Sequence, residues 1–261
     1  MTDSFSKKHT HETLDDEALL RYSRQLMLPG FDVAGQLALL NARVLIIGAG
    51  GLGSPASLYL AAAGVGHITL VDDDVVELSN LQRQIAHAES SLNRPKVESA
   101  REQLLKLNSQ CAVEVVQERF LADSFKERVR GFNVVLDCSD NFETRFSVNR
   151  LCFESGIPLV SAAAIRMEGQ LAVFDPRDQA SPCYRCLYSE DGEDNLNCST
   201  NGVLAPLVGV LGSMQALEAI KMLADYGEPA AGKLLIYDAL GMSWRSLKLP
   251  KDASCPVCCS K

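Results

Sequence analysis

"RVLIIGAGGLGSP", residues 43–55, decides how the rest of the chain is read. Its apolar start predicts a buried strand over 43–48. The strand runs into Gly48-Ala49-Gly50-Gly51-Leu52-Gly53, the spacing of a dinucleotide-binding turn. Gly48 permits the tight turn, Gly50 admits the backbone close to a phosphate, and Gly53 lets the next helix pack on the strand. A helix over 54–64 follows, with Pro55 near its first position. The free N–H groups and the positive dipole end at its start suit an anion. Alone, this glycine pattern is a weak signal. Here it follows a strand, opens a helix, and is answered by Asp72 at the end of a second strand, 67–72, where an acid suits a ribose hydroxyl. The bland alternative is a packing turn without a ligand, which that context disfavours. The turn marks a nucleotide site and leaves the nucleotide open.

The pattern outward from this turn alternates. An amphipathic N-terminal helix precedes it. After it come a helix over 94–108, a strand over 112–116, a short helix over 124–131 and a strand over 133–140 running into a polar loop. A helix over 144–156 and a strand over 158–163 complete the series. This alternation predicts an α/β, Rossmann-like, doubly wound and mostly parallel sheet with helices on both faces. Beyond residue 165, strands over 169–175, 232–239 and 242–249 read as an antiparallel extension, and 206–227 as one long apolar helix. No linker separates the halves. The expectation is one domain over 1–261, with a disordered tail over 1–15, a nucleotide-binding half over 16–165 and a second half over 166–261.

Composition narrows the function. The 261 residues are 47% hydrophobic and 22% charged, an ordinary globular balance. A net charge of −8 supplies no basic face for nucleic acid. No signal peptide is read, and the long apolar stretches look interrupted short of a membrane span, so a cytoplasmic protein without membrane attachment is expected.

The charges that follow Asp72 favour a triphosphate over a nicotinamide. Asn80, Arg83 and Lys96 lie after the second strand and before the next helix, near the strand ends where ligands sit. Arg83 offers a planar fork and Lys96 a point charge. Asp140 and Asn141 end another strand at the same edge, where a carboxylate suits Mg²⁺. A lone loop cation is usually only solvated. Shared placement at strand ends argues against that here.

Nine cysteines, an odd number, with no export signal point to buried thiols and metal ligands rather than disulfides. "SPCYRCLYS" and "ASCPVCCSK" each hold a C-x-x-C pair, Cys183/Cys186 and Cys255/Cys258. Two such pairs are a strong signal for a closed four-thiolate Zn²⁺ knuckle of structural role, here stapling the end of the sequence to its middle. A redox dithiol is the weaker alternative, because neither pair sits in a thioredoxin-like unit. Cys259 competes with Cys258 for the fourth position, and the repeated spacing favours Cys258. Cys198 lies in a polar, acidic stretch and is a candidate reactive thiol, with no neighbouring base in sequence to activate it.

"GAGGLGS", "LSNLQRQ", "RPKVESA", "LDCSDN", "AAIRMEGQ", "PCYRC" and "GVLAPLVGVLGSMQALEAIKML" together resemble the MoeB/ThiF family of ubiquitin-activating-like adenylyltransferases. The likeness extends from "LRYSRQLMLPGFDVAGQ" to the final C-x-x-C, and is strongest to the branch serving molybdopterin synthase. It implies ATP in the glycine turn, with Gly51 at the phosphates, Asp72 at the ribose, Asn80, Arg83 and Lys96 at the triphosphate, and Asp140 at Mg²⁺. It implies that Arg24, in "RYSRQ", reaches a neighbouring subunit's site, hence a homodimer. It gives the structural zinc to the cysteines at 183, 186, 255 and 258, and matches Cys198 to a thiol that only some relatives use covalently. The implied substrate is a small ubiquitin-like sulfur-carrier protein ending in Gly-Gly, adenylated through its terminal carboxylate and held by residues 166–261. Sulfur would come from a separate donor such as a cysteine desulfurase or rhodanese. Activation of the thiamine-pathway carrier is the near alternative. An NAD(P)-dependent oxidoreductase and a non-catalytic scaffold are the distant ones, and a scaffold has no need of Arg24, Arg83, Lys96 and Asp140 together.

Overall fold

The inner strands of the central sheet alternate their side chains between two apolar layers, as a doubly covered sheet requires. In β1 (Arg43–Ile47), Val44 and Ile46 enter one cluster while Leu45 and Ile47 enter the other. The computed structural model describes residues 11–189 and 202–259. Eight strands form one sheet in the order β3-β2-β1-β4-β5-β6-β7-β8. β1, β2 (His67–Val71), β3 (Ala112–Val116), β4 (Val134–Asp137) and β5 (Leu159–Ile165) run parallel. β6 (Glu168–Phe174), β7 (Lys233–Asp238) and β8 (Ser243–Lys248) add an antiparallel extension.

Three N-terminal helices stand where one was expected: α1 (Asp16–Arg21), α2 (Ser23–Leu26) and α3 (Asp32–Leu40). Pro29-Gly30 interrupts the run, since proline disfavours helix in the residue before it, and Asp32 enters α3 with φ at 40°. Residues 11–15 do not form a loose tail. The His11 N–H donates to Asn41 Oδ1 at 2.8 Å and the His11 carbonyl accepts from Asn41 Nδ2 at 2.9 Å, while Asp15 caps α1. The remainder of the expected tail lies outside the described residues.

α4 (Gly53–Ala63) and α5 (Lys96–Leu107) follow β1 and β2. The expected 124–131 helix divides into α6 (Ala122–Phe125) and a 3-10 turn, Arg128–Gly131. β4 stops at Asp137 rather than 140. The Asp137 carboxylate accepts the Ser139 N–H at 3.1 Å, a local turn that competes with strand pairing. α7 (Phe142–Ser155) is capped by Asn141, and α8 (Tyr184–Leu187) has Cys183 as its N-cap.

α9 (Ala205–Ala224) ends in a left-handed Asp225. It is long and apolar enough to cross a membrane by length and composition, so the expectation that every apolar stretch is interrupted fails here. Leu207, Leu211, Gln215 and Ala219 are nonetheless buried, and the helix packs against α4, β5 and β6 as a core element. α4, α5 and α9 contribute to one apolar layer; α6 and α7 contribute to the other.

Candidate active site

Neighbouring parallel strands diverge at β1, whose partners β2 and β4 lead to opposite halves of the sheet. Ligands of open α/β sheets bind in the crevice at such a switch point, beyond the carboxyl ends of the strands. A cavity of about 540 Å³ opens there. The glycine turn forms one wall and the loop after β4 the other. Gly48 adopts φ of 97°, and a Cβ on it would stand 2.7 Å from the Cys138 carbonyl oxygen. A Cβ on Gly53 would lie 1.9 Å from the Gly48 carbonyl oxygen, so only glycine closes this turn. α4 then begins without a side-chain cap, and the residues just before it, Gly50, Gly51 and Leu52, line the cavity.

Asp72 braces the turn. Its Oδ2 accepts the Ala49 N–H at 2.8 Å and its Oδ1 the Asp74 N–H at 2.9 Å. Burial raises its pKa, with Lys96 and the two backbone N–H groups opposing. Each carboxylate oxygen retains acceptor capacity for a hydroxyl. His87 braces the same turn from behind. Its Nε2 lies 3.0 Å from the Ala49 carbonyl, which only accepts, so Nε2 carries the proton and Nδ1 faces the Ser99 hydroxyl at 3.0 Å.

The cavity brings together Gly51, Asp72, Arg83, Lys96, Asp140 and Asn141. Lys96 opens α5 and pairs with Asp74. The half-buried Arg83 is anchored by a bond from Nη1 to the Ser79 carbonyl at 3.1 Å. Asn141 uses its Oδ1 to cap α7, accepting the Thr144 N–H at 2.9 Å. Asn80 is not on the cavity wall. Its Oδ1 accepts the Glu77 N–H at 3.2 Å, and its carbonyl accepts the Arg83 and Gln84 N–H groups, so it shapes the turn that carries Arg83. Arg24 is exposed on α2 and absent from this chain's cavity wall. Cys198 lies outside the described residues.

Two residues at the cavity were missed in sequence. Arg145 on α7 donates to the Ser139 carbonyl and to the Ala162 carbonyl at 2.9 Å, and stands 3.6 Å from buried Asp137. It thereby fixes the loop bearing Asp140. Its signal was the six-residue offset from Ser139 in "SDNFETR", which means nothing until α7 folds back over the loop. Gln84, next to Arg83, lines the cavity with its Oε1 buried and unbonded.

The two C-x-x-C pairs meet far from one another in sequence. The sulfurs of Cys183, Cys186, Cys255 and Cys258 all lie within 4.8 Å of one another. Cys183–Cys255 is 3.6 Å and Cys186–Cys258 3.4 Å. Four sulfurs tetrahedral about zinc, each at about 2.3 Å, lie about 3.8 Å apart, so the donor set fits that ion. Cys259 faces elsewhere, its Sγ donating to the Asp252 carbonyl at 3.2 Å. Cys111, Cys138 and Cys152 are buried core thiols, their pKa values pushed up by burial.

The ThiF family profile matches residues 22–257. The chain belongs to the ThiF family. It is 50% identical to the molybdopterin-synthase adenylyltransferase of Salmonella typhimurium over 245 residues, covering 94% of this chain and 98% of that one. Identity to the sulfur carrier protein ThiS adenylyltransferase of Escherichia coli is 45%, covering 94% and 97%. Among solved structures, E. coli MccB with ATP superposes with a TM-score of 0.80 at 26% identity, covering 91% of this chain and 74% of that one. This member of the ThiF family is thus an ATP-dependent adenylyltransferase with the expected Rossmann-like fold.

Proposed function

We propose that this enzyme adenylates the C-terminal Gly-Gly carboxylate of a small ubiquitin-like sulfur-carrier protein, releasing pyrophosphate. The convergence of the glycine turn, Arg83, Lys96 and Asp140 on one cavity carries the reading. The terminal carboxylate attacks the α-phosphorus of ATP, the acyl–oxygen–phosphorus link forms, and the bond to the β-phosphate breaks. A carboxylate needs no general base, so the enzyme's work is positioning and charge neutralisation. Gly51 and the glycine turn before α4 receive phosphate oxygens, Asp72 the ribose, and Arg83 and Lys96 the triphosphate, with Asn80 holding the turn behind Arg83. Asp140, exposed at the cavity with Asn141 beside it, is a hard oxygen donor suited to Mg²⁺, which neutralises phosphate charge when bound. Arg24 serves the site of a second copy in a homodimer.

Residues 166–261 receive the carrier, and Cys183, Cys186, Cys255 and Cys258 hold a structural Zn²⁺. The carrier is the small subunit of molybdopterin synthase, a reading supported by the relatives' names and identities; the thiamine-pathway carrier is the alternative. The acyl-adenylate then passes to a separate sulfur donor. The enzyme is placed in the cytoplasm, where thiol ligands of a structural zinc stay reduced.

ATP–pyrophosphate exchange with each Gly-Gly-ending carrier tests this. The molybdopterin-branch carrier is expected to support exchange, and Asp140→Ala to abolish it. Exchange indifferent to every carrier, or undiminished in Asp140→Ala, would remove the corresponding part of the reading.

A further inference from the structure

Asn149 sits about two turns after the Asn141 cap of α7 and is fully buried. Its Oδ1 accepts the Tyr184 N–H at 2.8 Å, which orients the carboxamide. Its Nδ2 has no hydrogen-bond acceptor of good geometry. A buried amide donor left unbonded is unusual in a native fold and calls for a physical reason. Tyr184 directly follows Cys183, and the Asn149 side chain is a hydrogen-bond neighbour of the Cys183 sulfur. A neutral thiol is a weak acceptor; a metal-bound thiolate is a far better one. The donor therefore gains its full partner only when Cys183 is ionised as a ligand.

We propose that Asn149 is a positioning residue of the four-cysteine metal centre, its Nδ2–H donating to the Cys183 thiolate. This rests on the zinc reading above. The bond would fix the orientation of one sulfur and spread its charge, as outer partners of metal ligands do elsewhere. It also anchors the knuckle to α7, the helix whose first turn carries Asn141 and Arg145 at the nucleotide cavity.

The test uses the full chain as Asn149→Leu, which removes the amide, and as Asn149→Asp, which keeps an acceptor for the Tyr184 N–H but removes the donor. Zinc affinity, measured by competition with a chromogenic chelator, is expected to fall about tenfold or more in both. In cobalt-substituted protein, the sulfur-to-metal charge-transfer bands are expected to shift to lower energy, because an unbonded thiolate is the better electron donor. Wild-type protein loaded with cadmium-113 gives a reading independent of variant folding: a through-bond coupling from the metal to an Asn149 side-chain amide proton is expected. Wild-type affinity and spectra in the variants, or no coupling in the cadmium protein, would overturn the proposal alone. A wild-type chain that binds no zinc would overturn the metal reading with it.

Discussion

Lys96 Nζ lies 2.6 Å from Asp74 Oδ2, with the lysine side chain 8% exposed and the carboxylate 65% exposed. The ammonium is thus held at the cavity wall by a partner that solvent also reaches. Such a half-exposed pair contributes about 1 kcal/mol at most, so a phosphate oxygen can take the carboxylate's place at little cost. Asp74 thus occupies the Lys96 ammonium until a phosphate oxygen displaces it.

Lys96→Ala is therefore expected to lower kcat for pyrophosphate exchange by about 10²–10³, the loss typical of removing one preorganised donor to developing charge. Asp74→Asn is expected to lower the KM for ATP several-fold, since the competing carboxylate is gone. Steady-state exchange kinetics over a range of ATP concentrations separate the two effects. A raised KM in Asp74→Asn would show that the pair positions Lys96 rather than competing for it.

Arg145 is expected to matter for stability more than its place at the cavity suggests. Its side chain is 8% exposed and that of Asp137 1%. Removing one member leaves a buried charge uncompensated, which destabilises by about 3–5 kcal/mol. Arg145→Ala should lose that much in urea denaturation. A loss below 1 kcal/mol would mean that Ser139 and Ser161, which also bond Asp137, are sufficient partners.

His87 should give the fold a mild acid sensitivity. Burial holds its imidazole below the usual histidine range, reinforced by Lys96 and opposed by the Ala49 carbonyl. The unfolded chain then takes up a proton at a pH where the native chain does not, so stability falls as pH drops below about 6.5 toward the folded pKa. His67, also lowered chiefly by burial, adds to the same slope. Thermal melts of wild type and His87→Gln between pH 7.5 and about 5 should show a flatter dependence in the variant. Parallel curves would remove His87 from the effect.

The cysteine geometry distinguishes the adjacent thiols 258 and 259. Cys258→Ser should lose bound zinc and melt several degrees lower, whereas Cys259→Ser should keep one zinc per chain and the wild-type Tm. Elemental analysis after gel filtration, with a melt in chelator, reads both. Equal zinc loss in the two variants would contradict the assignment of the fourth ligand.

Much of this protein is legible in local pattern. Glycine spacing at 48–53, alternating apolar runs and paired C-x-x-C segments are short-range signals, each dictated by backbone sterics, hydrophobic periodicity or metal-ligand spacing over a few residues. They were enough for the parallel strands, the antiparallel extension and the meeting of the four cysteines. Other features depend on which strands become neighbours. Arg145 matters because β4 and β5 lie side by side beneath α7, which brings Ser139 and Ala162 within reach of one guanidinium. Asn80 turned from cavity wall to turn support because its own loop offered a nearer N–H. The choice between Cys258 and Cys259, and the distance of Arg24 from its own chain's cavity, likewise follow from how the chain crosses over. Sequence determined the elements and their chemistry, since those are set by near neighbours; tertiary structure decided which side chains converge, since convergence is set by sheet order and by contacts between residues far apart along the chain.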